Sequence, residues 1–212
     1  MPRNKHPEKT VNLILDAAVE IFLTKGYDQT TVLDIVENMG GLTRGAFYHH
    51  FKSKEEVMNA VADKFFAQNN PFEHVEELTH LNGLEKIKEL FRFTIESQFR
   101  EDRKKIANAV LDLLKNPHFL MEQVKTIQEV TPYLASLIEE GIADGSIRQA
   151  NANILAEFIL HQVNLWLIPT VYPGDARDTY EKIMLLKTVF EGIGCPIIDE
   201  HLLKVFVENV HF

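Results

Sequence analysis

Along most of this chain, apolar residues recur at steps of three and four positions. The segment "TVNLILDAAVEIFLTKG" is the clearest case, and its apolar stripe consists of Val11, Ile14, Leu15, Ala18, Ile21 and Phe22. A period of about 3.6 residues places such positions on one face of an α-helix, whereas a strand needs a period of two. No alternation of apolar and polar residues persists anywhere in the sequence. The pattern therefore predicts an all-α fold.

The first part of the chain carries clear signals for helix ends. Lys25 followed by Gly26 is typical of a helix end, because a cation favours the last carbonyls and glycine adopts the left-handed conformation readily. The threonines at 30–31 predict the start of a second helix, which the glycines at 40–41 end. Ser53 with Glu56 predicts a capping box before a further helix. We therefore expect a long helix, two short helices flanking a turn and a fourth helix within residues 8–66.

The segment around Pro71 interrupts this pattern and predicts a boundary. We expect a helix-turn-helix domain at residues 1–54, a connecting helix that continues to about residue 66, and a larger helical domain at residues 55–212. Thr131 followed by Pro132 predicts a cap and a first helical position, and hence two helices there. The helices expected beyond Pro71 are Leu84–Phe99, Arg103–Lys115, Phe119–Val130, Pro132–Asp144, Ala152–Ile168, Ala176–Ile193 and Asp199–Val210.

The charge of the chain is unevenly distributed. The 212 residues include 22 basic and 31 acidic side chains, which gives a net charge of −9. Residues 1–55 are neutral overall, so the whole acidic excess lies beyond them. Such an imbalance indicates either two roles in one chain or a neutral segment that is merely solvated.

Three features of the sequence bear on the cellular compartment of the protein. The single cysteine, Cys195, cannot form an internal disulfide and is typical of a reducing compartment. The first ten residues are polar and lack the apolar core of a secretory signal. No apolar run approaches the roughly 20 residues of a membrane-spanning helix. We expect a cytoplasmic protein without a membrane segment.

The stretch "GLTRGAFYHHFKSKEEV", residues 41–57, is the most unusual part of this acidic chain. With Thr43 as the N-cap of a short helix, Leu42 and Phe47 occupy the positions of a hydrophobic staple. Phe47 and Phe51 lie four positions apart and share the side that faces the core. The side turned away from them carries Arg44, Gly45, Tyr48 and His49.

This outward side has the chemistry of a surface that contacts DNA. Arg44 can form two parallel hydrogen bonds with a guanine edge. Tyr48 and His49 can donate to phosphate oxygens without a fixed charge, and Gly45 leaves room for a close approach. Lys54, at the start of the next helix, adds a positive charge where free backbone N–H groups already favour an anion. A short helix after a tight turn is the usual arrangement for reading a groove.

The adjacent histidines allow other interpretations. Neighbouring positions on a helix point about 100° apart, whereas a helical pair of metal ligands is spaced four apart, so no metal site is predicted. His50 lies at the rim of the core side. From the helix geometry it is as readily packed and hydrogen-bonded locally as in contact with phosphate.

Two segments, "AAVEIFLTKGYDQTTVLDIVENMG" and "LTRGAFYHHFKSKEEV", make the region from Leu13 to Val61 similar to the DNA-binding region of TetR-family transcriptional repressors. The resemblance implies DNA contacts from Tyr48, His50 and Lys54, the fixed polar positions of the motif. Thr31 and Thr43, at the two helix starts, complete the expected set. In one respect the chain departs from the family, because the turn carrying both glycines is one residue longer.

The most apolar stretch is "NANILAEFILHQVNLWLIPTVYP", in which apolar residues fall on nearly all sides of the expected helix. A helix of this kind must be covered on more than one face. The next helix offers a second apolar face through Ile183, Leu186, Val189 and Phe190, with Leu185 alongside. These two helices predict a two-fold homodimer with a four-helix interface, the arrangement that the resemblance also implies. The alternative is a buried central helix in a monomer.

The resemblance further implies that a small-molecule effector binds within the larger domain. Apolar walls with a few polar groups are the usual composition of such a pocket. The candidate lining residues are Phe91, Ile95, Phe99, Phe119, Met121, His161, Gln162 and Trp166. The same residues are equally compatible with ordinary core packing.

No spacing in the sequence pairs a nucleophile with a base, so we expect neither an enzyme nor a cofactor. The expected function is that of a dimeric repressor on a near-palindromic operator, released by a small molecule. Two other classes stay open: a helical small-molecule or lipid-binding protein or enzyme that does not bind DNA, and an adaptor that binds protein partners through its acidic helices.

Overall fold

The computed structural model of the protein describes residues 7–67, 70–99, 114–115 and 117–209. All regular structure in these ranges is helical, which confirms the all-α prediction. The helices are α1 Pro7–Lys25, α2 Val32–Asn38, α3 Arg44–His50, α4 Lys54–Ala67, α5 Pro71–Glu76, α6 Gly83–Phe99, α7 Pro117–Asp144, α8 Ala152–His161, α9 Ala176–Ile193 and α10 Glu200–Asn209. Most of the predicted Arg103–Lys115 helix lies outside the described residues.

The described residues belong to two compact units, one formed by residues 7–67 and the other by the residues from 70 onwards. In the first unit, α1 packs against α2, α3 and α4. Its core contains Ile14, Ile35, Phe47 and Val57, all with no exposed surface. This burial is the main stabilising contribution to three helices that are too short to form alone.

The turn between α2 and α3 depends on its two glycines. Gly40 has φ 62° and Gly41 has φ 100°, so both lie in the left-handed region that side chains disfavour. The additional residue predicted in this turn is thus accommodated by two consecutive residues without a Cβ. The chain then enters α3 through Thr43 in an extended conformation.

In the second unit, the prediction of separate helices at Phe119–Val130 and Pro132–Asp144 is wrong, because α7 runs unbroken for 28 residues. Thr131 does not cap a new helix: its hydroxyl donates to the Ile127 carbonyl at 2.7 Å. Proline removes one helical hydrogen bond. The apolar face that continues from Ile127 to Leu134 and Ile138 is buried on both sides of it, and this packing offsets the loss.

Helices α6 and α7 approach each other closely near Gly83. A Cβ at Gly83 would lie 2.1 Å from the Gly141 nitrogen, so only glycine fits there. The Gly83 N–H donates to Asp144 Oδ2 at 2.8 Å, and the Leu84 N–H donates to Ser146 Oγ at 3.2 Å. Residues at the end of α7 therefore satisfy the free N–H groups at the start of α6.

The predicted helix Ala152–Ile168 changes its winding partway. It begins as α8 with Asn151 as N-cap and continues as a π-helical turn at Gln162–Trp166. The Leu167 N–H accordingly bonds the Gln162 carbonyl at 2.9 Å, five residues back. The segment around Pro71, expected to be irregular, contains the short helix α5, since proline is well accommodated at a first helical position and Asn70 caps it.

The structure buries other apolar side chains of α8 and α9 in the core than the prediction expected. Ile183, Leu186 and Phe190 are buried in the core of their own unit and are not available to a partner. The large apolar side chains that these helices leave exposed include Ile154, Phe158, Leu185 and Ile193, which we call the α8–α9 patch. Within the described part of the chain, no helix combines the length and apolar character that a bilayer crossing requires.

Candidate nucleic-acid interface

Helix α3 begins as its sequence predicts. Thr43 is the N-cap, and its hydroxyl accepts a hydrogen bond from the Ala46 N–H at 3.2 Å. This bond satisfies one of the N–H groups that every helix leaves free in its first turn. The cap thereby determines which residue starts the helix, and hence which side chains fall on each face.

The inner face of α3 is confirmed as the aromatic one. Phe47 has no exposed surface and Phe51 is buried as well, with their ring centroids 6.2 Å apart. The Phe51 N–H donates to the Phe47 carbonyl at 2.9 Å, and the chain then becomes extended, which ends the helix after two turns. Burial of these rings anchors α3 to the first unit.

The outer face presents the residues predicted to contact DNA. Arg44, Gly45, Tyr48 and His49 are exposed, and 45% of the Tyr48 surface is accessible. The Arg44 guanidinium carbon lies 5.4 Å from the centroid of the Tyr48 ring, within the range of a cation–π contact. A Cβ at Gly45 would meet Thr43 Oγ1 at 3.7 Å, an ordinary contact. Packing within the first unit therefore does not require a glycine at this position.

His50 lies at the edge between the two faces. It is half-buried, and its ring centroid is 4.9 Å from that of His49. Burial lowers the pKa of His50, and the neighbouring His49 lowers it further. The imidazole is therefore predominantly neutral near pH 7, a state compatible with either local packing or donation to phosphate.

Thr31 is placed at the N-cap of α2, where its side chain has local partners. Its hydroxyl donates to Asp34 Oδ2 at 2.7 Å and accepts from the Asp34 N–H at 3.2 Å. Lys25 bonds the same carboxylate at 2.7 Å. The Lys25 ammonium, followed by the hydroxyl and N–H of Thr31, lowers the pKa of Asp34 to about 2. Thr31 therefore caps the start of α2, and its predicted DNA contact stays a prediction.

Lys54 departs most from the prediction. Its ammonium was expected to face phosphate at the start of α4, but it points back to the connection between α1 and α2. There it donates to the carbonyl oxygens of Tyr27, Asp28 and Thr30. An ammonium has three N–H donors, and three carbonyls occupy them. The ammonium therefore has three partners within the first unit, and the phosphate contact expected of Lys54 stays a prediction.

The start of α4 otherwise resembles the predicted capping box. The Glu56 N–H donates to Ser53 Oγ at 3.2 Å, as expected of a cap. The Glu56 carboxylate accepts from the Lys52 N–H at 2.6 Å, one residue earlier than the standard motif places it. Residues between α3 and α4 are thus held by local hydrogen bonds at both ends.

The candidate pocket residues of the second unit differ in their exposure. Phe91, Ile95 and Phe119 are buried, which suits either a cavity wall or the core. Met121 is 58% exposed, and two positions along a helix from Phe119 it points away from it, so its assignment to the same wall is not supported. Phe99 ends α6, and its side chain lies outside the described residues.

The polar candidates lie at the junction of α8 with the π-helical turn. His161 Nδ1 is 2.7 Å from the Glu157 carbonyl oxygen, a local bond within the helix. Gln162 and Trp166 are half-buried, and the Lys182 ammonium lies 5.6 Å from the centroid of Trp166. A π-helical turn often occurs at functional sites, but sequence reasoning gave no signal for this one, because the change in winding leaves the apolar pattern unaltered.

A different cleft, of about 230 Å³, opens between α6 and the start of α10. Four of its charged side chains are in ion pairs: Lys88 lies 2.9 Å from Asp199, and Arg92 bonds Glu89 as well as Glu96. Sequence reasoning missed this cleft because its walls come from residues more than a hundred positions apart. The pairing leaves little charge for a ligand.

Comparison with known proteins agrees with the site geometry. Residues 14–61 match the family model of bacterial regulatory proteins of the tetR family. The HTH-type transcriptional repressor KstR2 of Mycolicibacterium smegmatis is 32% identical, over 89% of this chain and 92% of that protein. The HTH-type transcriptional regulator SrpR of Pseudomonas putida is 30% identical, over 93% of this chain and 82% of its own length.

A solved structure shows the same fold. The crystal structure of a TetR-family transcriptional regulator from Pectobacterium atrosepticum superposes with a TM-score of 0.64, over 90% of this chain and 97% of that one, at 22% identity. The similar proteins are regulators of transcription rather than enzymes. The capped α3 with its aromatic inner face fits a DNA-binding helix. The matched segment and the relatives aligned over most of their length show that this chain belongs to the TetR family of DNA-binding transcriptional regulators.

Proposed function

We propose that two copies of this chain bind a near-palindromic operator through α3, repress transcription there, and are released by a small-molecule effector. The observation that carries the proposal is the outer face of α3, where Arg44, Tyr48 and His49 are exposed beside Gly45. The neutral first segment removes the electrostatic objection to an acidic chain approaching DNA. We propose repression rather than activation because the similar protein KstR2 is named a repressor.

Each exposed group of α3 has a distinct role in the proposed complex. Arg44 bonds a guanine edge in the major groove, so it supplies base specificity. Tyr48 and His49 donate to phosphate oxygens, which position the helix without selecting a sequence. Thr43 helps by holding the first turn of α3 in place. We retain residues 1–54 as the DNA-binding domain and residues 55–212 as the regulatory domain.

The α8–α9 patch supports a dimer. Ile154 is 64% exposed and Leu185 is 54% exposed, and they lie on two successive helices of the second unit. Large apolar groups left exposed on neighbouring elements of a chain often belong to an association surface. A two-fold partner would cover the patch with an identical one and form a four-helix interface. Two α3 helices about 34 Å apart could then enter successive major grooves on one side of the duplex.

The proposed effector binds near Phe91, Ile95 and Phe119, with His161, Gln162 and Trp166 as polar partners. Apolar walls with few polar groups suit a largely apolar molecule carrying one or two hydrogen-bonding groups. Release from DNA requires the effector to prefer the conformation in which the two α3 helices are wrongly spaced. A ligand with equal affinity for both conformations would shift nothing.

An electrophoretic mobility shift with the DNA flanking the gene tests the proposal. The Arg44→Ala, Tyr48→Ala double variant should abolish the shift while helicity and oligomeric state stay unchanged. Arg177→Ala with Tyr133→Ala is the matched control, because it removes the same residue types from exposed positions of the second unit. The wild-type affinity should fall steeply with salt as phosphate contacts are lost.

Two results would contradict the proposal in different ways. Unchanged DNA affinity of the α3 variant would show that another face contacts DNA. A wild-type protein that shifts none of the flanking DNA, yet binds apolar ligands, would favour the helical carrier that does not bind DNA.

A further inference from the structure

The ammonium of Lys54 joins two parts of the first unit that are far apart in sequence. Lys54 is the first residue of α4, and its Nζ lies 2.9 Å from the Tyr27 carbonyl oxygen, 3.3 Å from that of Asp28 and 3.0 Å from that of Thr30. It also lies 4.5 Å from the centroid of the Tyr27 ring. We call this set of contacts the Lys54 clamp.

The three carbonyls form a well-defined acceptor site. They belong to the connection that ends α1 and precedes α2, where the Thr30 hydroxyl donates to the Gly26 carbonyl at 2.7 Å. The Tyr27 ring packs against Phe22, with centroids 5.3 Å apart. Burial, together with the Glu55 carboxylate, raises the pKa of Tyr27, so the ring under the ammonium stays uncharged. Charge-assisted hydrogen bonds of this kind are stronger than neutral ones.

The position of the clamp in the chain gives it a consequence for α3. Residues 31–53 contain α2, the glycine turn and α3, and the clamp joins the residue before this segment to the residue after it. The segment is therefore a closed loop of the fold. Fixing both of its ends reduces the number of orientations open to α2 and α3.

We propose that Lys54 is a positioning residue for DNA binding, which acts by clamping the ends of the α2–α3 segment rather than by contacting phosphate. This inference rests on the proposed function, because α3 is the helix that the clamp would orient. A binding surface held in its productive orientation before the encounter avoids the entropic cost of ordering it. A phosphate contact would have to replace three hydrogen bonds that the ammonium already makes.

The salt dependence of DNA affinity separates the two roles. Lys54→Met keeps an unbranched side chain, one atom shorter than that of lysine, and removes the ammonium. We expect affinity for the operator to fall about ten-fold, comparable to the loss of one charge-assisted hydrogen bond, with an unchanged slope of log affinity against log salt. A phosphate contact would instead reduce that slope by about one. Lys52→Met is the matched control, since it removes a charge from an exposed neighbouring position outside the clamp.

Hydrogen–deuterium exchange on the free protein provides a second measurement that needs no DNA. In Lys54→Met, the amides of residues 31–53 should exchange faster, whereas those in the middle of α1 keep their protection. A uniform increase across the unit would indicate lost global stability and overturn the proposal. So would a reduced salt slope, or an affinity equal to that of Lys52→Met. If the wild type binds no operator but exchange changes as expected, the proposed function fails while the clamp stands.

Discussion

The short helices of the first unit and helix α6 of the second unit begin in different ways. In the first unit, Thr31, Thr43 and Ser53 each bond an N–H three residues ahead, so every short helix is capped by its own neighbour. In the second unit, α6 has a local cap at Asn82, and its first N–H groups also donate to Asp144 and Ser146, about sixty positions away. The first arrangement depends on nearby residues alone, whereas the second exists only when α6 and α7 have packed.

The same contrast applies to the faces of the helices. On α3 the aromatic and polar residues are segregated, so one inner face and one outer face follow from the sequence. On α8 and α9 apolar residues occur on both sides, and packing decides which of them become core. Segregation of side chains thus specifies orientation locally, while an apolar helix obtains its orientation from its neighbours.

The largest expected effect comes from two adjacent leucines of α9. Leu186 is 2% exposed, so Leu186→Asp would bury an unpaired charge and should cost about 4 kcal/mol or more of unfolding free energy. Leu185→Asp alters an exposed position of the α8–α9 patch, so we expect the proposed dimer to become a monomer, with a thermal midpoint that falls far less than that of Leu186→Asp. Thermal unfolding followed by circular dichroism and light scattering after gel filtration measure the two effects.

Ser136→Asp is the control for this pair, because it adds the same charge at an exposed site of α7. It should leave both stability and oligomeric state unchanged. A Leu185→Asp protein that remains dimeric would exclude the α8–α9 patch as the interface. A Leu186→Asp protein of normal stability would contradict its burial.

A smaller effect is expected at the cap of α3. Thr43→Ala removes the hydroxyl that accepts from the Ala46 N–H, and should lower the unfolding free energy by about 1 kcal/mol. Thr43→Ser retains the oxygen and should recover most of that loss. Urea denaturation of the three proteins makes the comparison. Equal loss in both variants would mean that the threonine methyl, and not the cap, contributes the stability.

The smallest effect concerns the distant cap of α6. The Gly83 N–H, and then the hydroxyl and N–H of Ser146, lower the pKa of the Asp144 carboxyl. Its contribution to stability is therefore complete above the unfolded-state pKa of about 4 and is lost as pH falls through the lowered folded-state value. Asp144→Asn should flatten this part of the acid unfolding curve, whereas Glu139→Gln, at an exposed site of the same helix, should not. Identical curves for the wild type and Asp144→Asn would contradict the assignment.

Several expectations failed for reasons that a linear sequence conceals. Pro132 predicted the start of a new helix. The burial of the apolar face that continues past it outweighs the loss of one hydrogen bond, so α7 is unbroken. Nothing in the sequence indicated the partners of the Lys54 ammonium, because its carbonyl acceptors lie more than twenty positions earlier. The cleft beside α10 is invisible in the sequence because its walls are joined only by the fold.

The sequence by itself determined the helical class, the caps at Thr31, Thr43 and Ser53, and the opposite faces of α3 with Phe47 inside and Tyr48 outside. These features depend on periodicity and on hydrogen bonds that span three or four residues. Only the tertiary structure decided the partners of Lys54, the core side of α9 and the joining of α6 to Asp144. Such features depend on groups that become neighbours after the chain has folded, and their relative positions are set by packing rather than by spacing along the chain.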